Sequence, residues 1–262
     1  MNGAMSVGHS LYDHYTYRYM GVDPEDGQSM FEAYYDIREG EFMDPTADGG
    51  YNYIPSLHQW ILEQEDLGVE NPRQYLASTT TKDATEAAAQ YVGKSYLPDL
   101  SGGVGFDLEV YGVTLSATCS YQIGGFGYDN TYIQLMANDQ VGSHNYHVDA
   151  RKAWTENNRD TDVPRFSNGA GQYDSYATTG STRFLTSNSY FSLNNIQLGY
   201  NFPKKLIEKI KLNKLSLYVN ATNLAIATAR RGYNPMTSFT GSSDTHGYSP
   251  LSTIMGGVKF TF

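Results

Sequence analysis

The chain has 262 residues and a formal net charge of −10, and it contains 23 tyrosines, 26 glycines and one cysteine, Cys119. A single cysteine excludes an internal disulfide framework and a four-cysteine zinc site. The acidic balance argues against a nucleic-acid partner, because no surplus of Lys and Arg is present to neutralise phosphates. Hydrophobic residues make up 40% of the chain, which is too many for a disordered protein.

No part of the sequence approaches the roughly 20 consecutive apolar residues of a membrane helix. A transmembrane strand needs only about 10 residues of alternating character, so the composition fits an outer-membrane barrel and a secreted β-sandwich equally well. Residues 1–19 contain no apolar core flanked by basic residues, and no signal peptide is predicted there. A barrel without an export signal is expected only if the chain is a fragment or lacks its precursor segment.

The first predicted elements are two tyrosine-rich runs, residues 11–20 and 28–37, on either side of a turn cluster at residues 21–27. This order predicts an N-terminal hairpin. Helix is predicted at residues 56–66, which carry several apolar side chains. It is also predicted at residues 82–92, which are rich in alanine and follow three threonines suited to capping.

Strict alternation of apolar and small polar residues predicts a strand over residues 113–123. Cys119 lies on its apolar face, where a small buried or lipid-facing hydrophobe is favoured over a nucleophile. Residues 104–111 predict the hairpin partner, with Gly112 at the turn. A second long strand is predicted over residues 189–202, and a change of phase at Asn194-Asn195 indicates a β-bulge.

Pro203 ends that strand, because proline cannot donate to a ladder. Residues 204–211 predict one short helical turn or a charged hairpin loop, and residues 214–227 predict the next strand. The last strand keeps its alternation to the end of the chain. The long segments between the strands, about 60 and about 55 residues, contrast with the short turns, as in outer-membrane barrels.

Candidate chemistry is sparse. His144, His147 and Asp149 form an H-x-x-H-x-D pattern, but a solvated loop is favoured over a metal site because no other cluster completes the ligand set. The acidic residues 23–26 fit a turn better than a calcium loop. The glycines of 124–127 lack the spacing of a phosphate-binding loop, and no G-x-S-x-G elbow is present. No catalytic, metal or cofactor site is predicted, and the protein is not expected to be an enzyme.

Four loop aromatics are candidate ligand contacts: Tyr51, Tyr53, Trp60 and Trp154. Such side chains can stack on sugar rings or on peptide side chains. For any single one of them, packing within the loops or a place in a membrane-interface girdle is favoured over ligand binding.

Several segments, taken in order, resemble the C-terminal region of SusC/RagA-type TonB-dependent outer-membrane transporters of the Bacteroidetes. The principal ones are YFSLNNIQLGYNFPKKL at 190–206, LYVNATNL at 217–224, GYNP at 232–235 and GGVKFTF at 256–262. Upstream landmarks are GVDP at 21–24, LPDLSGG at 97–103, AWTENN at 153–158 and TDVPR at 161–165. The resemblance spans nearly the whole chain. No single segment is decisive, and the specificity comes from finding all of these segments in the same order as in the family.

The resemblance implies an all-β fold, an antiparallel transmembrane β-barrel of roughly 22 strands with a plug inside. Residues 1–262 would form the C-terminal part of that barrel, with about 8–10 strands and long, partly helical extracellular loops. The plug, the TonB-contacting segment and the export signal would lie outside this chain, and a truncated or split reading frame is expected.

The resemblance also implies a location in the cell outer membrane and a role in nutrient uptake. A SusD-like surface lipoprotein would cover the barrel, with a glycan or peptide ligand between them. The TonB complex would act through the plug, without bond making or a cofactor. Outer-membrane lipid would surround the wall. The barrel-assembly machinery would recognise the end of the chain: Ile254, Val258, Phe260 and Phe262. An isolated fragment is expected to be inactive.

Two other classes of protein remain open. The alternative function is a secreted or surface β-sandwich that binds carbohydrate, which would hide its apolar face in a core. An outer-membrane hydrolase would need a triad that the sequence does not show. Part of a barrel would have two open edges, so the chain is expected either to close into a smaller barrel or to form a curved open sheet.

Overall fold

The computed structural model describes residues 8–38, 53–138, 145–166, 174–238, 242 and 250–262. The chain divides into two compact units, Met1–Ser95 with Tyr128–Leu185 and Tyr96–Gly127 with Thr186–Phe262. Within the described ranges, no helix has both the length and the apolar character needed to cross a membrane.

The first unit is built from short elements. Their bounds are β1 Asp13–Tyr17, β2 Tyr19–Val22, β3 Ser29–Asp36, α1 Leu57–Asp66, β4 Leu76–Thr81, β5 Ala89–Ser95 and α2 Asn130–Leu135. Strands β2, β3 and β4 form an antiparallel sheet, and β1 pairs with β5. Small clusters of buried side chains around Phe31, Leu57 and Phe184 form its core.

The pairing of β2 with β3 confirms the predicted N-terminal hairpin, and α1 confirms the first predicted helix. The helix predicted at residues 82–92 is wrong. Ala87 and Ala88 are fully buried before β5 begins, and the Ala88 amide donates to the Glu32 carbonyl at 3.1 Å. Pairing of β5 with β1, including Tyr91 opposite Tyr15, outweighs the helix propensity of the alanines.

The second unit contains one large sheet. Its long strands are β6 Leu100–Val110, β7 Val113–Ile123, β10 Tyr190–Asn201, β11 Lys214–Thr228 and β12 Thr253–Thr261. They form an antiparallel sheet in the order β12-β11-β10-β7-β6. Helix α3, Lys204–Ile207, lies between β10 and β11 and confirms the predicted helical turn. The short strands β8, Phe126–Tyr128, and β9, Leu185–Ser187, pair with each other.

The predicted bulge is present in β10. Leu193 pairs with Cys119 and Asn195 pairs with Thr118, so Asn194 is an extra residue without a partner on β7. Its side-chain carbonyl accepts a hydrogen bond from the Ser120 hydroxyl at 3.1 Å. The alternation of apolar and polar residues shifts by one position at Asn194, and the bulge adds one residue at the same place. As a result, the apolar residues before and after the bulge lie on one face of the sheet.

The large sheet is open in the described part of the chain, since no pairing joins β6 to β12. All five of its strands have at least 9 residues, whereas β3, with 8 residues, is the longest of the other strands described. A tilted transmembrane strand needs about 9–11 residues. The large sheet is therefore the part of the molecule with the dimensions of a membrane wall.

Candidate functional site

One face of the large sheet is apolar from edge to edge. The pairing register aligns Leu108, Leu115, Leu198 and Val219 in one row across four strands. These side chains are not covered: Leu108 is 54% exposed, Leu198 55% and Val219 52%. Soluble monomers rarely expose a contiguous apolar patch of more than a few hundred Å², so this face requires an apolar environment.

The height of this face fits a bilayer. Strand β7 has 11 residues and alternates from Val113 to Ile123. At about 3.3 Å per residue and a tilt of about 40°, it spans roughly 25 Å along the membrane normal, the height of the apolar band of outer-membrane barrels.

Aromatic residues mark one end of the sheet, which we call the turn end because the two-residue turn Tyr111-Gly112 lies there. The φ angles of Tyr111 and Gly112 are 49° and 85°, as in the type I′ turns of tight hairpins. Tyr111 is 98% exposed. The ring pairs Tyr200–Phe202 and Phe260–Phe262 have centroids 5.0 Å and 5.5 Å apart. These five residues, the turn-end aromatics, match the interfacial girdle of a membrane barrel.

The opposite face of the sheet is polar. Near the turn end, the Asn201 amide donates to Glu109 Oε1 at 3.2 Å, and the Ser216 hydroxyl donates to Asn201 Oδ1 at 2.7 Å. Lys259 lies directly opposite Ser216 in the register. A cavity of about 640 Å³ opens here between side chains that include Asp107. The arrangement is suited to contact with water, a polar solute or a polar protein surface.

A second cavity lies where the long loops leave the sheet. It has a volume of about 430 Å³ and is lined by Asn223, Arg231 and Tyr233 among others. The Ser252 hydroxyl donates to the Asn223 carbonyl at 2.6 Å, and Asn223 itself has a left-handed φ of 51°. The cavity combines an exposed guanidinium with neutral hydrogen-bonding groups.

The loop aromatics predicted from the sequence belong to the first unit, and Tyr51 lies outside the described residues. Tyr53 forms an isolated bridge with Tyr35. Trp60 is on α1, with the Arg38 guanidinium 5.8 Å from its ring. Each of these two aromatics therefore has a contact within the chain itself.

Trp154 holds the turn between β2 and β3. Its indole Nε1 donates to the Pro24 carbonyl at 3.1 Å. Its ring lies so close to Gly27 that a Cβ added there would come within 2.6 Å of it. Gly27 also has a φ of 77°, so a side chain at this position would be strained as well as blocked.

The terminal residues predicted as an assembly signal share the apolar face. Ile254, Val258 and Phe260 face Ala221, Leu217 and Leu215 of β11. Their exposed fractions are 70%, 58% and 54%, and Phe262 is 80% exposed.

In the H-x-x-H-x-D segment, His147 and Asp149 have a local structural role. His144 lies outside the described residues. The Asp149 amide donates to His147 Nδ1 at 3.2 Å and so caps a short 3₁₀ helix. Lys152 Nζ lies 2.9 Å from Asp149 Oδ1 and, by hydrogen bonding, lowers the pKa of that carboxyl. No group of three or more potential metal ligands occurs in the described ranges.

The acidic turn at residues 23–26 is held by a lysine. Lys82 Nζ lies 2.6 Å from Asp23 Oδ2 and 3.0 Å from Asp26 Oδ2. The hydrogen bond from Lys82 is the largest effect that lowers the pKa of Asp23. This pairing fits the turn that the sequence favoured over a calcium loop.

The first unit contains a histidine cluster that the sequence did not predict. The rings of His9 and Tyr91 stack with centroids 3.6 Å apart, and His58 meets the Tyr91 ring edge-on at 5.3 Å. His58 Nε2 is buried with no hydrogen-bond partner in the structure. Burial, and secondarily the charge of His9, lowers the pKa of His58. The three residues are far apart in the sequence, so no local pattern connects them.

The exposed apolar face, its height, the polar face behind it and the turn-end aromatics define a section of the wall of a membrane β-barrel. Known structures have the same fold. The chain aligns over 95% of its length with the RagAB peptide transporter, with a TM-score of 0.64 and 20% identity. It aligns equally with the RagAB peptide importer in its closed-closed state, with a TM-score of 0.66.

Sequence relatives point to the same class. The chain is 28% identical over 142 residues, 54% of its length, to TonB-dependent receptor P3 of Formosa agariphila. An alignment 266 positions long, which covers 93% of the chain, shows 24% identity to TonB-dependent receptor P39 of the same organism. No protein-family model matches the chain.

The homologues of this chain are TonB-dependent receptors, and its fold is that of a barrel portion of a SusC/RagA-type transporter. The resemblance drawn from the sequence is thereby confirmed. The chain spans 13% and 24% of the two receptors and 23% of the RagAB transporter chain, so it corresponds to less than a quarter of these proteins.

Proposed function

We propose that residues 1–262 are the C-terminal part of the barrel of an outer-membrane TonB-dependent transporter. The observation that carries this proposal is the exposed apolar face of the large sheet, with Leu108, Leu198 and Val219 each more than half exposed. Lipid is the environment that stabilises such a surface, and the polar face behind it would then face the interior of the barrel.

The transported ligand is proposed to be a glycan or a peptide, taken up as a nutrient together with a SusD-like surface lipoprotein. The similarity to the RagAB peptide transporter supports a peptide and a partner protein. The TonB complex would act through a plug in another part of the receptor. The mechanism is binding followed by gated passage, with no bond made or broken. The isolated chain is proposed to be inactive, because the large sheet, as far as the structure describes it, has five strands and does not close around a passage.

Two groups of residues have proposed roles. Tyr51, Tyr53, Trp60 and Trp154 are proposed ligand-facing aromatics of the loops. Ile254, Val258, Phe260 and Phe262 are proposed to be recognised by the barrel-assembly machinery. The position of this second group on the exposed face of the last described strand supports its role.

A β-sandwich is the competing proposal, and the fractionation of the chain tests the two against each other. A barrel portion should enter the membrane fraction, resist extraction by high salt and alkaline carbonate, and need detergent to stay in solution. A sandwich should be recovered without detergent as one monodisperse species, and that result would refute the transporter proposal. Mass measurement of the detergent-free fraction by light scattering separates a folded monomer from soluble aggregate.

A further inference from the structure

A basic segment connects β10 and β11 at the turn end of the large sheet. We call residues 203–214 the basic connector. It contains a single acidic residue, Glu208, and five lysines: Lys204, Lys205, Lys209, Lys211 and Lys214. The whole chain has only 18 Lys and Arg together, so more than a quarter of its basic residues fall within this segment.

The positive charges of the connector are not neutralised. All five lysines are exposed, and none of them makes an ion pair with any residue that the structure describes. In contrast, Lys82 and Lys152 of the first unit form ion pairs with aspartates. Lys214 shares the polar cavity with Asp107 and Glu109. The other four lysines, set against the single carboxylate of Glu208, leave the connector with a local positive field.

The connector is folded and presents apolar side chains beside its lysines. Ile207 is 3% exposed and anchors α3, and the Leu212 amide donates to the Ile207 carbonyl at 3.2 Å. Leu206 and Ile210, four residues apart, are 57% and 60% exposed. Lysines alternating with exposed aliphatic residues on a short helical segment are characteristic of surfaces that lie in the headgroup region of a bilayer.

The connector lies at the level where the apolar face ends. Phe202, one of the turn-end aromatics, is separated from Lys204 by only Pro203, so their Cα atoms are at most about 7 Å apart. At its other end, the Asn213 amide donates to the Thr261 carbonyl at 2.8 Å, next to Phe262. If the aromatics lie at the interface, the ammonium groups lie at the depth of the lipid phosphates.

We propose that the basic connector binds the phosphate headgroups of anionic phospholipids in the leaflet at the turn end of the sheet. This inference rests on the proposed membrane function, because the connector meets headgroups only when the apolar face is in a bilayer. Lys214 lines the cavity on the polar face of the sheet. The other four lysines of the connector would concentrate anionic lipid at this level and fix the depth of this end of the sheet.

The test compares lipid selectivity in the full 262-residue chain, reconstituted into phosphatidylcholine vesicles. Trace spin-labelled phosphatidylglycerol or phosphatidylcholine is added, and the lipid fraction immobilised by the protein is measured by electron paramagnetic resonance. We expect the charged lipid to be preferred by roughly fivefold, the effect of about one lysine–headgroup contact. Sodium chloride at 0.5 M should reduce this preference by screening.

Two triple variants separate the connector from the charge of the whole chain. The first carries Lys205→Gln, Lys209→Gln and Lys211→Gln. The second removes the same charge from exposed positions of the first unit: Arg151→Gln, Lys152→Gln and Arg159→Gln. The preference should fall to near unity in the first variant and stay unchanged in the second. Inorganic phosphate at matched ionic strength should not abolish it.

Membrane insertion is measured separately, as protection of the β6–β7 hairpin from added protease. Protection without any lipid preference, or a preference that the connector variant retains, would overturn this inference and leave the proposed function intact. A preference abolished by inorganic phosphate would show that the segment recognises the free ion, which also overturns it. Failure of the chain to insert into the vesicles would overturn the membrane function and the inference together.

Discussion

Placing a lysine at two depths on the apolar face separates a membrane wall from a water-exposed surface. Val104 and Val110 lie on the same face of β6, six residues apart, and are 59% and 47% exposed. Val110 shares a row with Val113 and Tyr200 at the turn end. Val104→Lys and Val110→Lys therefore make the same chemical change on one strand at different distances from the turn-end aromatics.

The depths follow from strand geometry. Six residues at about 3.3 Å each, with a tilt of about 40°, place Val104 roughly 15 Å below Val110 along the membrane normal. In an apolar band about 25 Å high, Val104 is then near the midplane, whereas Val110 is at the interface. A lysine costs about 2–4 kcal/mol at the midplane of a barrel and about 0–1 kcal/mol near its edge.

The assay is equilibrium unfolding by guanidinium of each variant in phosphatidylcholine vesicles, followed by far-ultraviolet circular dichroism. We expect Val104→Lys to lower the free energy of unfolding by about 2–3 kcal/mol more than Val110→Lys. If the face were exposed to water, both changes would fall within about 0.5 kcal/mol of wild type. Equal effects at the two positions would refute the assignment of this face to lipid.

Three further predictions concern the histidine cluster, the bulge and the chain end. The pKa of His58 in the folded chain is below its ordinary value of 6.5. Between these two pKa values, the unfolded chain therefore binds more protons than the folded chain. Stability of the first unit should therefore fall as the pH drops from 7 to 5; His58→Phe should flatten this dependence in thermal melts, and an unchanged slope would contradict it. Deletion of Asn194 should turn Phe191 to the polar face. A Phe191→Cys label site in a Cys119→Ser background should then react with a water-soluble maleimide in vesicles, and continued protection would count against the register. Phe262→Ala should reduce assembly into the outer membrane, measured as the carbonate-resistant fraction, whereas undiminished assembly would remove Phe262 from the proposed signal.

Some features of the fold were predictable because their causes are local. The alternation from Val113 to Ile123 specifies a strand with two distinct faces, whatever its neighbours are. The phase change beside Asn194 required an extra residue if the apolar side chains were to stay on one face. Gly112 and Pro203 mark the ends of strands through their own backbone preferences.

Other features depend on residues that are distant in the sequence. The alanines at 84–88 favour a helix locally, but their burial beside β3 and the pairing of β5 with β1 decide their conformation. From the sequence, Trp154 was a candidate either for ligand binding or for packing within the loops. Its contacts with Pro24 and Gly27 depend on a fold that joins positions about 130 residues apart.

The sequence by itself determined that this protein has long two-faced strands, joined by short turns and separated elsewhere by long segments. These properties follow from a period of two residues and from the conformations open to single residues. Only the tertiary structure decided which strands are neighbours, and it places β10 beside β7 rather than beside β9. It also decided that the apolar face shared by these strands is exposed. Strand order and exposure depend on the free energy of pairing and burial summed over distant segments, which no local pattern encodes.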